Sequence, residues 1–96
     1  MRGRSPTPHP GQVLLEEYLR PRGLSQNRLA RSLGVPPRRV NEIVLGKRRI
    51  TADTALRLAS YFENSPVYWL GLQDCFDLEQ ARLSSDELGG RESAPA

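Results

Sequence analysis

Apolar residues recur at helical spacing along most of the chain, and short stretches with glycine, proline and capping residues separate these repeats. Three- and four-residue spacing is typical of amphipathic helices. The pattern therefore predicts an all-α protein, a compact five-helix domain with flexible ends. The predicted helices cover about residues 10–20, 26–33, 37–45, 52–62 and 66–83. His9 is the candidate N-cap of the first helix, and Pro10 is its first residue.

The second predicted helix has signals at both ends. Ser25 suits the N-cap, because its hydroxyl can accept a hydrogen bond from an amide two or three residues on. Its apolar face consists of Leu29, Ala30 and Leu33. Gly34 then stands where a helix end needs a left-handed backbone.

The third predicted helix follows a short turn and opens on Pro37, because proline fits the first turn of a helix but not its interior. Its inner face is aliphatic and consists of Val40, Ile43 and Val44, and Gly46 ends it. Two helices joined by a short turn with glycine form a helix-turn-helix, a motif that places its second helix in the major groove of DNA.

The other side chains of the third helix then have to point away from the core. Arginine can bond guanine through two donors and asparagine can do the same with adenine, so these residue types can read bases. We expect the two arginines here to be free of the protein's own carboxylates. The predicted base-reading residues are Pro37, Arg38, Arg39, Asn41 and Glu42. The alternative is a solvated basic face with no partner.

A second set of polar residues flanks the motif where DNA phosphates would pass. Three lie in the first turn of the second helix, beside backbone amides that also favour anions. Three consecutive cations follow the third helix. The predicted phosphate contacts are Gln26, Asn27, Arg28, Lys47, Arg48 and Arg49.

The fourth helix is predicted to be scaffold, with Thr51 as its cap and Asp53 in its first turn, where a negative charge complements the helix dipole. Its buried side is predicted to consist of Ala52, Ala55, Leu56, Ala59 and Phe62. The alanines indicate close approach of another helix.

The last helix opens on Ser65 and Pro66, and it is apolar on most sides. Its predicted core face is Trp69, Leu72 and Phe76. A surface helix needs only one apolar stripe, so the other apolar residues indicate a second buried side, which a second copy of the chain can supply. The predicted dimer interface consists of Tyr68, Leu72, Cys75 and Leu78. The alternative is a helix that is buried within one chain.

Three stretches of the chain resemble the HigA-type antitoxins, small repressors of the XRE, or phage-repressor-like, helix-turn-helix class. They are H-P-G-x-V-L-x-E from His9, then LSQNRLARSLGVPPRRVNEIVLGKRRITADTALRLASYF, and SPVYWLGLQ. The resemblance implies a five-helix homodimer, a palindromic operator in double-stranded DNA and a HigB-type toxin that cleaves messenger RNA. The predicted function is thus an antitoxin that represses its own operon; the alternatives are a stand-alone repressor and an interaction module that has lost DNA binding.

Charge is unevenly distributed along the 96 residues. Residues 1–50 contain eleven Lys and Arg against three Asp and Glu, a net charge of +8, whereas residues 51–96 contain three against eight, a net charge of −5. A basic half that contains the motif suits a polyanion, and such binding depends strongly on salt. The acidic half is expected to face away from DNA, where it could meet a basic protein.

Catalytic and metal-binding residue patterns are missing from the sequence. One cysteine excludes an internal disulfide, and a single histidine, His9, leaves no plausible zinc cluster, so we expect neither metal nor cofactor. Without a nucleophile–base pair or a phosphate loop, we expect no enzyme. No apolar run reaches the ~20 residues that span a bilayer, so the expected location is the cytoplasm.

The two ends of the chain differ in charge. Residues 1–8 are predicted to be a flexible basic arm, with a minor-groove contact and simple solvation as alternatives. Residues 9–84 form the predicted helix-turn-helix DNA-binding and dimerisation domain. Residues 85–96 are predicted to be a disordered acidic tail, either solubilising or in contact with a toxin.

Overall fold

The computed structural model describes residues 7–87 of the chain, with side chains described through residue 85. Five helices make up this part, as the hydrophobic pattern predicts. We number them α1 (residues 10–22), α2 (Gln26–Leu33), α3 (Pro37–Val44), α4 (Ala52–Phe62) and α5 (Pro66–Glu87). Helix α2 packs against α3 and α4, α4 packs against α5, and α1 contacts both α3 and α5.

Helix α1 is interrupted by a π-helical segment, Leu14–Leu19, between Pro10–Val13 and Arg20–Arg22. The helix ends at Arg22, two residues beyond the predicted end near Arg20. In the π segment the Arg20 amide donates to the Leu15 carbonyl, five residues back. This wider register precedes Pro21, which has no amide hydrogen to donate, and one more turn follows before Gly23 ends the helix with φ of 59°.

The start of α1 is held by His9, as predicted. Its Nδ1 accepts a hydrogen bond from the Gly11 amide at 2.9 Å. Burial is the larger influence on this imidazole and lowers its pKa from the ordinary 6.5, while the nearby charge of Asp77 acts in the opposite direction. A neutral imidazole suits the cap, because protonation would remove the acceptor.

Gly11, the second residue of α1, lies against the backbone of α3. A Cβ at position 11 would overlap the Ile43 carbonyl oxygen, and it would stand 2.6 Å from the Ile43 carbonyl carbon and 2.9 Å from the Val44 Cα. Gly11 is thus the residue that lets the first turn of α1 touch the last turn of α3. Nothing in the local sequence pattern indicates this contact.

The helix-turn-helix has the predicted caps. The Ser25 hydroxyl accepts from the Arg28 amide at 3.1 Å, and Gly34 ends α2 with φ of 74°. Pro37 is in the first turn of α3. Val40 and Ile43 are 2% and 1% exposed and Val44 is half-buried, so the aliphatic face of α3 is turned inward as predicted.

The core closes around Trp69, which is fully buried. Its indole Nε1 donates to the Asn64 side-chain oxygen at 2.9 Å. The ring lies 4.9 Å from the Tyr18 ring centroid and 6.0 Å from that of Phe62. This cluster joins α1, α4 and α5, and Asn64 satisfies both of its polar groups, because its Nδ2 also donates to the Tyr18 hydroxyl at 3.4 Å.

The predicted buried side of α4 is partly wrong. Ala55 and Ala59 are buried and Phe62 is half-buried, but Ala52 is exposed and Leu56 is 60% exposed. The helix is rotated so that its buried set is Thr54, Ala55, Leu58 and Ala59. The Thr51 hydroxyl, which caps the helix, also contacts the hydroxyl of Thr54, so a polar residue occupies a position on the inner face.

Helix α5 continues to Glu87, beyond the predicted domain boundary at residue 84. The Ser65 hydroxyl accepts from the Val67 amide at 3.0 Å, which confirms the predicted cap. Most of the predicted basic arm and of the acidic tail lies outside the described residues. Within residues 7–87, no helix combines the length and hydropathy needed to cross a bilayer. The same part of the chain brings no three His, Cys, Asp or Glu residues together as a metal site.

Candidate nucleic-acid interface

The polar side of α3 is an open surface formed by the residues that the sequence predicts to read bases. The side chain of Arg38 is 84% exposed, and Pro37 and Asn41 are also exposed. Arg39 is less available, with 30% of its side chain exposed. Because Val40 and Ile43 hold the opposite side of the helix in the core, this surface is fixed in its orientation.

Glu42 lies between two arginines of the interface. Its carboxylate accepts from the Arg38 Nε at 3.2 Å and from the Arg48 Nε at 3.0 Å. Both carboxylate oxygens are engaged, one by each arginine. The hydrogen bond from Arg48 is the largest of the influences that lower the pKa of Glu42. The positive charges of Arg48 and Arg38 and the hydrogen bond from Arg38 lower it further. Glu42 is therefore ionised at neutral pH.

Asp53, in the first turn of α4, lies between another two arginines. It accepts from the Arg39 Nη1 at 3.0 Å and from the Arg57 Nε at 3.0 Å. Arg57 also donates to the Leu33 carbonyl at 2.7 Å, which satisfies the end of α2. The Arg57 hydrogen bond is the main cause that lowers the pKa of Asp53.

The prediction that Arg38 and Arg39 are free of the protein's own carboxylates is therefore wrong. Glu42 follows Arg38 at the i,i+4 spacing that brings helix side chains together, and the fold places the first turn of α4 beside Arg39. Exposed ion pairs of this kind are worth about 0–1 kcal/mol. A bidentate contact with a base is worth more, so these pairs do not prevent the arginines from contacting DNA.

Asn41 and Gln26 form a polar link between α3 and α2. The Asn41 Nδ2 donates to the Gln26 Oε1 at 3.0 Å. The sequence assigns these residues different roles, one as a base reader and the other as a phosphate contact. The structure brings them together, and each retains half of its amide for another partner.

Apart from Gln26, which is bonded to Asn41, the predicted phosphate contacts divide into two groups. Asn27, Arg28 and Lys47 are exposed, and no ion pair in the described part of the chain involves them. Arg48 instead bonds Glu42, and the Arg49 Nη2 bonds Asp77 on α5 at 2.8 Å. Three cationic or amide side chains thus stand open, whereas two arginines are already paired.

The loop after α3 is anchored by a residue that sequence reasoning missed. Gln73 is 3% exposed, and its Oε1 accepts from the buried Ile50 amide at 2.7 Å. Its Nε2 donates to Asp77, the partner of Arg49. A polar residue between Trp69 and Phe76 on the core face of a helix was the available signal. Gln73 and Asp77 connect the cationic loop to α5.

The outer face of α5 is apolar and exposed in the single chain. Tyr68 is 37% and Leu78 is 62% exposed, Cys75 is exposed, and Leu72 is half-buried. These are the residues of the predicted dimer interface. Gly71 lies on the same face, and a Cβ there would meet no atom within 4 Å.

Comparisons with known proteins agree with this geometry. Residues 15–69 match the helix-turn-helix family. Virulence-associated protein I of Dichelobacter nodosus is 51% identical over 83 residues, which cover 86% of this chain and 77% of that protein. The Pseudomonas aeruginosa antitoxin HigA, solved with the higBA promoter, superposes with a TM-score of 0.86 at 37% identity, over 93% of this chain and 97% of that one. An addiction module antidote protein of the HigA family from Coxiella burnetii gives 0.84 at 43% identity, over 94% and 98%.

Proposed function

The chain belongs to the HigA-type antitoxins of the helix-turn-helix family, and from this membership we propose that it binds an operator as a dimer, represses its own operon and neutralises a HigB-type toxin that cleaves messenger RNA. It is a DNA-binding regulator, and we assign it no catalytic activity. We place its action in the cytoplasm, where both the operator and messenger RNA are found.

The observation that carries the proposal is the polar side of α3. Its arginines, its asparagine and the open cations around them suit base edges and phosphates, while the aliphatic side of the helix is buried. A two-fold dimer would hold two copies of α3 about 34 Å apart, so that they enter successive major grooves on one side of a palindrome. The P. aeruginosa antitoxin HigA, solved with the higBA promoter, is a precedent for binding to promoter DNA.

Base reading and phosphate binding are separable by mutation. We expect Arg38→Ala to cost about 1–3 kcal/mol of operator binding and to change affinity for random DNA little, because a bidentate base contact is lost. Lys47→Ala should weaken binding to both DNAs alike and reduce the slope of log affinity against log salt by about 1. Fluorescence anisotropy over a salt series, with duplexes selected by the wild type from a random pool and scrambled controls, measures both quantities. Equal behaviour of the two variants would refute these roles.

Toxin neutralisation is the second half of the proposed function. The acidic second half of the chain, with its net charge of −5 and the exposed Asp74 on α5, suits a small basic partner. We expect an adjacent gene to encode a small basic protein that binds this chain in calorimetry. Its cleavage of messenger RNA should stop when the chain is added. A bovine ribonuclease of similar charge serves as the control. A toxin-like neighbour that neither binds nor is inhibited would leave the alternative, a stand-alone repressor.

A further inference from the structure

We propose that Glu42 is a positioning residue: it holds Arg38 and Arg48 by their Nε atoms and thereby aims the outer ends of both guanidinium groups at DNA. This inference rests on the proposed DNA-binding function. It replaces the expectation that Glu42 reads a base itself.

Both arginines bond Glu42 through the inner nitrogen of the guanidinium group, Nε. Arg38 and Arg48 each use Nε, at 3.2 Å and 3.0 Å from the two oxygens of Glu42. In the described part of the chain no hydrogen bond or ion pair occupies their Nη atoms. The two Nη groups form the outer edge of the guanidinium, and two parallel donors at that edge match the O6 and N7 acceptors of guanine or the oxygens of a phosphate.

Two other arginines of the interface are held differently. Arg39 bonds Asp53 through Nη1, and Arg49 bonds Asp77 through Nη2. In each of them a nitrogen of the outer edge is already engaged by a carboxylate and has one N–H donor fewer for DNA. Arg38 and Arg48 can make a bidentate contact through both Nη groups while their Nε atoms remain bonded to Glu42.

Exposure agrees with this arrangement. The side chain of Glu42 is 27% exposed, whereas those of Arg38 and Arg48 are 84% and 47% exposed. The carboxylate thus lies beneath the two cations. Arginine side chains have large rotamer freedom, and restraint of that freedom before binding improves affinity. The lowered pKa of Glu42 keeps the group in the charged form that both arginines need.

A direct base-reading role fits Glu42 less well. A carboxylate that reads cytosine has to accept from the N4 amino group. Both Glu42 oxygens already accept from arginine, so a base contact would have to share an oxygen or displace one of them. Glutamine at this position keeps one acceptor and brings a donor that would face an arginine, so it can hold at most one of the two cations.

The test is a mutant cycle read on two DNA probes. The proteins are Glu42→Gln, the double variant Arg38→Ala with Arg48→Ala, and the triple variant that combines all three. The probes are a duplex selected by the wild type from a random pool and a scrambled duplex of the same composition. Glu16→Gln is the matched control, because it removes the same charge and an exposed i,i+4 ion pair, with Arg20, outside α2 and α3.

We expect Glu42→Gln to lower the affinity for the selected duplex about 3- to 10-fold, the loss that follows when restrained side chains become free, and to leave or raise the affinity for the scrambled duplex. In the background that lacks both arginines it should no longer lower the affinity, because nothing is left to position. Glu16→Gln should shift both probes alike.

Three results overturn the proposal. An undiminished loss in the background without both arginines means that Glu42 contacts DNA itself. Equal changes on the two probes in the wild-type background mean that only its charge matters. A loss on both probes together with a lower melting temperature means that its role is structural. A wild-type protein that selects no duplex refutes the proposed function instead, so the two failures are distinguishable.

Discussion

Replacement of the buried Gly11 by alanine is expected to lower the free energy of unfolding by about 3 kcal/mol. The added methyl group would overlap the carbonyl oxygen of Ile43 and stand 2.9 Å from the Val44 Cα. These are backbone atoms of α3 and cannot rotate away as a side chain can. Either α1 or α3 therefore has to move.

Urea unfolding followed by circular dichroism measures this loss. Gln12→Ala is the matched control, because the next residue of the same helix is exposed and should change stability by less than about 0.5 kcal/mol. Since α3 presents the polar residues of the interface, we also expect the remaining folded Gly11→Ala protein to bind operator DNA more weakly. Wild-type stability in this variant would show that α1 and α3 do not approach as closely as described.

Local signals in the sequence were sufficient for most of the fold. The structure confirms capping by four predicted residues, His9, Ser25, Thr51 and Ser65, and the glycine that ends α2. These features could be predicted because each depends on residues within four positions. The fit of Gly11 against α3 joins residues more than thirty positions apart. No periodicity reports a contact of that kind. The rotation of α4 that exposes Leu56 and buries Thr54 has the same origin, since tertiary packing chooses between two nearly equivalent faces.

The site divides in the same way. The inward face of α3 follows from helical spacing, and so does the pair of Arg38 with Glu42, an i,i+4 contact that the printed sequence already contains. The pair of Arg39 with Asp53 depends on where α4 begins in space, and the pair of Arg49 with Asp77 joins residues 28 positions apart. The fold therefore determines which arginines have an Nη group bonded to a carboxylate of the protein.

The proposed dimer leads to the second large effect. We expect Leu78→Asp to raise the dimer dissociation constant at least about 100-fold, because an interface leaves a buried, unpaired carboxylate uncompensated. Leu78 is 62% exposed in the single chain, so the monomer should keep its stability. The affinity for a palindromic operator should fall by a similar factor, because the second half-site is no longer bound by a linked partner.

Leu56→Asp separates this effect from a general effect of charge. Leu56 is 60% exposed, nearly the same as Leu78, but it lies on α4 beside Ser32 and Leu33 of α2. This variant should remain dimeric in analytical ultracentrifugation, while Leu78→Asp sediments as a monomer at the same concentration. If Leu78→Asp stays dimeric, the outer face of α5 is not the interface and the apolar residues there need another partner. If it becomes monomeric and still binds the full palindrome as tightly as the wild type, the link between dimerisation and operator binding is refuted.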